Sequence, residues 1–346
     1  MLVAETRAAN EPAIKTLAPP IAWRQVVEPV EPFLEIVAER LAAQVNDFDQ
    51  ALAPYAEYSL TGQGKQLRPV LVALCAKATG QLTEAHVSAA VIVEMVHLAT
   101  LVHDDVMDEA EIRRGRLTLA ANWSNEIAVL FGDCLFAQAL KLAASFPTPD
   151  ICRAVAAATN TVCSGEILQN RQRHNFQFAL PEYIRILEMK TAELFALSCD
   201  LGAYVNAASI SSRATLRQFG LALGTAYQMF DDCVDVFGKE VAAGKSLGMD
   251  LAQGKLTLPV LLFCQKASAP EREKLQRLIS NWIPGSFAEV RALLGKYETL
   301  GEALNIIHQY LKRARSCLDG LPRGRDGLAA LTGYLAQQAD ALATSA

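Results

Sequence analysis

Two copies of one acidic motif, DDVMD beginning at Asp104 and DDCVD beginning at Asp231, carry the residues best suited to chemistry. Positions i and i+4 share a helix face, so Asp108 would lie beside Asp104 and Asp235 beside Asp231. Three carboxylates in five residues repel one another and the negative pole of a helix end, so a cation must compensate them. Carboxylate oxygens suit Mg²⁺ or Mn²⁺, which completes its coordination with phosphate oxygens and water. One such motif alone is typical of a solvated helix end, but two copies predict a magnesium site for a phosphorylated substrate.

Basic residues are distributed around both motifs. They are Lys65, Arg68, Arg113, Arg114, Lys190, Lys245 and Lys255. Arginine offers a bidentate fork for phosphate oxygens, and lysine offers a movable point charge. Any one of these residues is typical of a solvated surface charge, whereas the set indicates a phosphate-binding site. His97 lies about two turns before Asp104 on nearly the same helix face, which predicts a further phosphate contact, while His103 is interpreted as an ordinary helix residue.

Composition narrows the class of protein. The chain has 346 residues, of which 51% are hydrophobic and 20% charged, with a net charge of −5. This apolar content excludes a disordered chain, and the mildly acidic charge argues against a nucleic-acid partner. The eight cysteines are scattered without a C-x-x-C pair, which predicts reduced, buried thiols. The most apolar stretch, residues 86–103, is interrupted by Glu94, so we expect a cytoplasmic protein rather than one that spans a membrane.

Helical periodicity dominates the rest of the chain, and the low content of glycine and proline disfavours a β-sandwich or barrel. We predict a flexible N-terminal segment over residues 1–25 and a single all-α domain of long helices over residues 26–346. The predicted helices span residues 28–46, 67–79, 84–108, 126–145, 149–172, 181–206, 212–238, 256–267, 286–297, 300–319 and 325–343. Both acidic motifs come at the end of a long apolar helix.

The order and spacing of seven motifs resemble the trans-isoprenyl diphosphate synthases, also called polyprenyl diphosphate synthases, of the long-chain type. These motifs are GKQLRP (64–69), HLATLVHDDVMDEAEIRRG (97–115), GD (132–133), GEILQ (165–169), KTAELF (190–195), GTAYQMFDDCVD (224–235) and GKSLGMDLAQGKLTLP (244–259). The resemblance covers residues 30–343. It implies an all-α isoprenoid-synthase bundle around a deep central cavity, assembled as a homodimer, with at most peripheral membrane contact for product release.

The resemblance also implies a role for each matching residue. Isopentenyl diphosphate would be held by Lys65, Arg68, His97 and Arg114, and the allylic diphosphate by Arg113, Lys190, Lys245 and Lys255. Three Mg²⁺ ions, with Mn²⁺ as a substitute, would be bound by Asp104, Asp108 and Asp231, supported by Asp105 and Asp235. Thr191 and Gln228 would lie beside the reacting carbons. The expected reaction is the head-to-tail condensation of isopentenyl diphosphate onto an allylic prenyl diphosphate.

Two other functions remain open from the residues. A class I terpene cyclase also carries an aspartate-rich motif, but it would not need the isopentenyl diphosphate site of Lys65, Arg68 and His97. A non-catalytic isoprenoid-binding partner subunit of another synthase would bind similar chains, but such subunits usually lack acidic ligands that are all present here. The chain-elongating prenyltransferase is therefore the leading hypothesis.

Product length is predicted from the helix that ends in Asp104. One turn rises about 5.4 Å, comparable to one isoprene unit. In the family, short-chain enzymes place aromatic side chains four and five residues before this aspartate, where the chain here has Thr100 and Ala99. Leu135 and Phe136 are candidate residues for closing the channel deeper down. We therefore predict a product beyond farnesyl diphosphate, of about thirty to fifty carbons, with geranylgeranyl diphosphate as the alternative.

Overall fold

A computed structural model of the protein describes residues 21–61, 64–239, 247–283, 285–321 and 324–345, so Lys245 lies outside the described residues. The α-helices are α1 (Ile21–Val27), α2 (Glu31–Ala43), α3 (Ala53–Leu60), α4 (Leu67–Thr79), α5 (Glu84–Met107), α6 (Leu119–Asn122), α7 (Asn125–Ala144), α8 (Asp150–Arg171), α9 (Leu180–Leu187), α10 (Glu193–Tyr204), α11 (Ile210–Phe237), α12 (Met249–Ala252), α13 (Leu258–Lys266), α14 (Ala269–Ser280), α15 (Ser286–Lys296), α16 (Thr299–Cys317) and α17 (Asp326–Ser345). Short 3₁₀ turns cover Glu28–Val30, Gln44–Asp47, Gln50–Leu52 and Leu318–Gly320.

The predicted all-α architecture is confirmed. In the described part of the chain, the extended structure is one antiparallel hairpin of β1 (Ile112–Arg113) and β2 (Arg116–Leu117). The structure adds α3 and α14, which the sequence did not predict. It also begins α1 at Ile21, inside the segment 1–25 that was predicted to be flexible.

The helices that carry the acidic motifs form the centre of the bundle. α5 packs against α4, α7 and α10, and α11 packs against α10 and α16. Their long apolar runs are buried on several sides, with Ile92 and Met95 of α5 and Phe219 of α11 fully enclosed. A helix that is apolar nearly all round belongs in a core, which is why these two helices can fix the acidic motifs rigidly.

Two helices, α5 and α7, are long and apolar enough to cross a membrane by length and composition alone. In α5, 67% of the apolar window is buried inside the protein, as in the core helix of a globular domain. In α7 the buried share is only 39%, so this helix presents an apolar face outward. All eight cysteines are free thiols, but the prediction that they are buried holds only for Cys75, Cys199 and Cys233, since Cys163 is exposed and the others are half-buried.

A π-helical turn over Glu188–Ala192 joins α9 to α10 inside the stretch that was predicted as one helix. The wider turn brings the backbone of Lys190 against α8. A Cβ atom at Gly165 would lie only 2.7 Å from the backbone nitrogen of Lys190, so this close approach requires glycine. π-turns of this kind are frequent at functional sites, because they re-aim side chains within a helix.

Candidate active site

Both acidic motifs face one cavity of about 1790 Å³, whose wall includes the ends of α5, α8 and α11, the π-turn, the hairpin and α17. The predicted site residues that line it are Lys65, Arg68, His97, Thr100, Asp104, Asp108, Arg113, Arg114, Phe136, Lys190, Thr191, Gln228, Asp231, Asp235 and Lys255. Asp105 and Ala99 are buried and lie outside the lining. Folding therefore gathers residues that are up to about 190 positions apart in the sequence.

The first motif ends α5 with an excess of negative charge. The pKa of Asp104 is raised to about 7. Burial contributes most, the carboxylates of Glu166 and Asp108 also raise it, and the Lys190 ammonium opposes them. A buried carboxylate next to two others is costly unless a cation neutralises it. The surroundings of Asp104 therefore suit a divalent cation better than they suit the bare carboxylate.

The other aspartates of the first motif have basic partners. Asp108 Oδ1 accepts a hydrogen bond from Lys255 Nζ at 2.7 Å and lies 3.4 Å from Arg173 Nη2. Asp105 Oδ1 accepts from Arg113 Nε at 2.6 Å. Arg113, which the resemblance assigns to the allylic diphosphate, thus also fixes the end of α5.

The hairpin directs the side chains of the adjacent residues Arg113 and Arg114 to different partners. Arg114 and Gly115 form its two-residue turn with φ values of 52° and 74°. Such a turn needs positive φ at both positions, and its twist suits a tight hairpin. Arg113 consequently pairs with Asp105, while Arg114 extends toward Gly64, where a Cβ atom would lie 2.4 Å from Arg114 Nη1. Glycine at position 64 leaves room for this guanidinium.

The residues predicted to hold isopentenyl diphosphate all line the cavity, and Arg68 and Arg114 lie close to His97. Lys65 Nζ donates to the Tyr334 hydroxyl of α17 at 3.3 Å. The Arg68 guanidinium lies over the Phe195 ring at 5.2 Å, and its buried Nε has no hydrogen-bond partner among the described residues. Burial, followed by the positive charges of Arg68 and Arg114, holds the pKa of His97 well below 6.5. A concentration of positive charge with an unmatched N–H donor suits an anionic ligand.

Glu94 lies close to Arg68 and Arg114. It is buried, and its Oε2 has no hydrogen-bond partner within the described ranges. Burial raises the pKa of this carboxyl, while the charges of Arg68 and Arg114 lower it. In the sequence Glu94 was recognised only as an interruption of an apolar run. Glu94 acts as a counter-charge because α4 and the hairpin bring Arg68 and Arg114 close to α5. No local sequence pattern predicts this contact.

Lys190 reaches the metal-facing part of the cavity from the π-turn. Its Nζ donates to Gln169 Oε1 and lies 3.5 Å from Glu166 Oε2. Burial alone would lower the pKa of Lys190, but the carboxylates of Glu166, Asp104 and Asp250 outweigh it and raise the pKa above its ordinary value. The ammonium therefore stays charged beside the first acidic motif. Glu166, which lies in the quoted GEILQ motif, was not assigned a role from the sequence.

The second motif divides its aspartates between two environments. Asp231 and Asp235 line the cavity, and Asp235 Oδ2 accepts from the backbone N–H of Asp250 at 3.3 Å. Asp232, which the sequence did not assign, is turned into the core and is 3% exposed. It accepts hydrogen bonds from Tyr183 Oη at 2.5 Å and Gln228 Nε2 at 2.8 Å.

The residues predicted to set product length lie in two different environments, the cavity wall and the hydrophobic core. Thr100 and Phe136 line the cavity, and the Phe136 ring lies 5.7 Å from the His103 ring. Ala99 is fully buried in the hydrophobic core, as is Leu135. His103 also lines the cavity, and its Nε2 is hydrogen-bonded to the Val129 carbonyl at 3.0 Å.

The donor set fits a hard divalent cation. Asp104, Asp108, Asp231 and Asp235 offer only oxygen atoms toward one cavity. Among the described residues, no group of three or more Asp, Glu, His or Cys side chains is already arranged around a single point. Asp108 Oδ1 is instead paired with Lys255, so a cation at this carboxylate would compete with the lysine for the same negative charge.

Residues 49–294 match a family model described as Polyprenyl synthetase. The chain belongs to this family. It is 33% identical over 311 residues to heptaprenyl diphosphate synthase component 2 of Bacillus subtilis (strain 168), a match that covers 88% of each chain. This membership identifies the protein as a prenyltransferase and confirms the family predicted from the seven motifs.

Solved structures support the same family and fold. A decaprenyl diphosphate synthase from Rhodobacter capsulatus is 30% identical, with a TM-score of 0.85 over 92% of this chain and 99% of that chain. A polyprenyl synthase from Caulobacter crescentus CB15, complexed with calcium and isoprenyl diphosphate, is 30% identical with a TM-score of 0.83 over 91% and 96%. The prenyltransferase thus shares its bundle and cavity-forming helices with enzymes of isoprenoid elongation.

Proposed function

We propose that this prenyltransferase condenses isopentenyl diphosphate head to tail onto an allylic prenyl diphosphate, giving an all-trans polyprenyl diphosphate longer than farnesyl. The observation that carries this proposal is that one cavity is lined by two kinds of charged side chain. Carboxylates of both motifs line it together with Lys190, whose ammonium lies near Asp104 and Glu166. Lys65, Arg68 and Arg114 also line it, and they supply positive charge beyond what the metal-binding carboxylates need, which suits a second diphosphate substrate.

The carboxylates would hold magnesium together with the allylic diphosphate. We propose three Mg²⁺ ions, with Mn²⁺ as a substitute, bound by Asp104, Asp108 and Asp231 with support from Asp105 and Asp235. When bound, magnesium neutralises the charge of the diphosphate leaving group. The raised pKa of Asp104 and the calcium in the Caulobacter relative's complex support a cation here.

The chain's own residues then have distinct tasks. Lys190, kept charged by its acidic neighbours, opposes the negative charge that grows on the departing diphosphate. Arg68 and Arg114 orient isopentenyl diphosphate so that its double bond faces the allylic carbon. The hydroxyl of Thr191 and the amide of Gln228, joined by a 2.9 Å hydrogen bond, present polar atoms where positive charge develops. The apolar side chains of the wall exclude water from this charge.

We propose a product of about thirty to fifty carbons, with geranylgeranyl diphosphate as the alternative. Thr100 is a small side chain on the cavity wall, so the growing chain can pass it, and Phe136 is the aromatic side chain of α7 that lines the cavity and could stop it. The heptaprenyl and decaprenyl names of two relatives support this range.

We further propose that the protein is a homodimer that pairs through α7. Leu130 is 62% exposed on this helix, and the exposed Trp123 precedes it. An apolar surface of this kind on a long helix is typical of a subunit interface. Light scattering should give twice the chain mass, and Leu130→Glu should give monomers. Because one relative is named as a component of a synthase, activity that requires a second, different chain would contradict the homodimer.

The reaction is tested by incubating the purified chain with farnesyl diphosphate, labelled isopentenyl diphosphate and Mg²⁺, followed by chromatography of the products. We expect labelled polyprenyl diphosphates and diphosphate release that depends on isopentenyl diphosphate. Release from the allylic substrate alone, with a hydrocarbon product, would identify a terpene cyclase. Binding of prenyl chains without turnover would identify a non-catalytic subunit.

A further inference from the structure

Four side chains form one hydrogen-bonded row from the core to the cavity. Tyr183 Oη donates to Asp232 Oδ2 at 2.5 Å, and Gln228 Nε2 donates to Asp232 Oδ1 at 2.8 Å. Thr191 Oγ1 then donates to Gln228 Oε1 at 2.9 Å. Thr191 and Gln228 line the cavity, whereas Tyr183 and Asp232 are 2% and 3% exposed and lie behind the wall.

The row has one hydrogen-bond direction. Asp232 accepts at both of its carboxyl oxygens, from the Tyr183 hydroxyl and from the amide NH₂ of Gln228. The amide oxygen of Gln228 must then face Thr191, and the hydroxyl proton of Thr191 is committed to that oxygen. Oxygen lone pairs of Gln228 and Thr191 therefore remain available at the cavity. Exchanging the oxygen and nitrogen positions of a glutamine amide barely changes its shape, so without Asp232 neither orientation of Gln228 would be strongly favoured.

Tyr183 holds the buried end of the row. It lies on α9, outside both acidic motifs, and its hydroxyl has Asp232 as its hydrogen-bond partner. A buried carboxylate that loses a donor is left partly unpaired, and it moves or attracts another proton donor. The hydroxyl of Tyr183 thus holds Asp232 in the position from which it orients Gln228.

We propose that Tyr183 is a positioning residue for the condensation: through Asp232 it fixes the amide of Gln228 and the hydroxyl of Thr191 with their oxygens toward the developing positive charge. The proposal rests on the proposed function, because it names the charge that these oxygens face. Tyr183 itself touches neither substrate. Its removal should affect the rate of the chemical step more than the binding of either diphosphate.

The test replaces Tyr183 by Phe, which keeps the ring and removes the hydroxyl. We expect kcat to fall about tenfold, less than the hundredfold typical for deleting an electrostatic stabiliser itself, with less than a twofold change in either KM. In Gln228→Ala and Thr191→Val backgrounds, Tyr183→Phe should change kcat less than twofold, because its route to the substrate is already broken. Tyr297→Phe is the matched control, since its hydroxyl also donates to a carboxylate, that of Glu271, and neither residue lines the cavity.

Three results would overturn the proposal: an unchanged kcat in Tyr183→Phe, a raised KM with kcat unchanged, or the same loss of kcat when Gln228 is already Ala. If Tyr183→Phe fails to fold, Asp232→Asn tests the same coupling to Gln228→Ala, and additive losses would contradict the row. Wild-type condensation is measured in parallel. A wild type that makes no product refutes the proposed function and the inference with it, whereas an active wild type leaves the function intact whatever Tyr183→Phe shows.

Discussion

Lys255 and Asp108 form an ion pair with an Nζ–Oδ1 distance of 2.7 Å, in which the lysine is only 5% exposed. The pair joins the segment after the second acidic motif to the last aspartate of the first one. The side-chain amide of Gln253 reinforces this junction by donating to the Asp108 carbonyl at 2.7 Å. The first motif is therefore joined to the segment that follows the second motif, although Asp108 and Lys255 are 147 residues apart in the sequence.

Lys255→Met should separate two effects of this ion pair. Loss of the charge should raise the KM for the allylic diphosphate about tenfold, since hydrogen bonds to charged groups contribute about 1.5–3 kcal/mol. Calorimetry should show tighter Mg²⁺ binding to the free enzyme, because Asp108 no longer has Lys255 as a competing partner. Lys266→Met, which removes an exposed lysine paired with Glu302, serves as the control and should change neither quantity. An unchanged allylic KM would contradict the assignment of Lys255.

Neutralising a single aspartate at the end of either helix should abolish most activity. Asp104→Asn or Asp231→Asn keeps the side-chain volume but removes a charge that binds the cation, and turnover should fall at least about a hundredfold. Thermal unfolding of Asp104→Asn without metal should occur at the same or a higher temperature, because Glu166 and Asp108 repel the native carboxylate. Asp319→Asn, at an exposed position, should behave as wild type. Retention of more than a tenth of wild-type turnover would refute the metal assignment.

The helices of the site were predictable, and several of its contacts were not. The long apolar periodicity of α5 and α11 indicated both helices and the aspartates at their ends. The segment of α14 is rich in charged residues and buries only Leu275 and Ile279, so its periodicity was too weak to be recognised. The π-turn that aims Lys190 inserts one residue per turn without any distinctive composition. Contacts such as Tyr183 with Asp232 depend on distant elements meeting, which the sequence does not encode locally.

The two diphosphate regions should respond differently to mutation. Arg68→Ala removes a guanidinium from the basic group and should raise the KM for isopentenyl diphosphate with a small effect on kcat. Lys190→Met removes the ammonium beside the first motif and should lower kcat, since that charge matters most as the diphosphate departs. Steady-state kinetics with each substrate varied in turn distinguishes the two. The reverse pattern would mean that the roles of the two regions are exchanged.

His97 should contribute to the acid sensitivity of the substrate-free protein. Its pKa in the folded state lies well below 6.5, because of burial and the charges of Arg68 and Arg114. The unfolded state therefore binds the extra proton below pH 6.5, and stability falls as pH decreases through that point, by at most about 1.4 kcal/mol per pH unit. Above pH 6.5 the contribution is complete. Unfolding temperatures from pH 7.5 to 5 should fall less steeply in His97→Gln, and identical slopes in both proteins would show that His97 is not held neutral.

Product length should respond to Thr100 and to Ala99 for different reasons. Thr100 lines the cavity, so Thr100→Phe places a ring in the path of the growing chain. The product should shorten toward farnesyl or geranylgeranyl diphosphate, while the first condensation keeps its rate. Ala99 is fully enclosed in the core, so Ala99→Phe should shorten the product only by displacing its neighbours, and overpacking should lower stability by about 1–3 kcal/mol.

Phe136→Ala provides the converse test at the far wall, where the ring lies beside His103. If Phe136 limits the channel, its truncation should lengthen the product by at least one isoprene unit, because the removed ring leaves space for further carbons. Chromatography of the dephosphorylated products measures the chain length made by Thr100→Phe, Ala99→Phe and Phe136→Ala in comparison with the wild type. A wild-type enzyme that stops at farnesyl diphosphate, or a Thr100→Phe variant with an unchanged product, would show that the wall formed by α5 and α7 does not measure chain length.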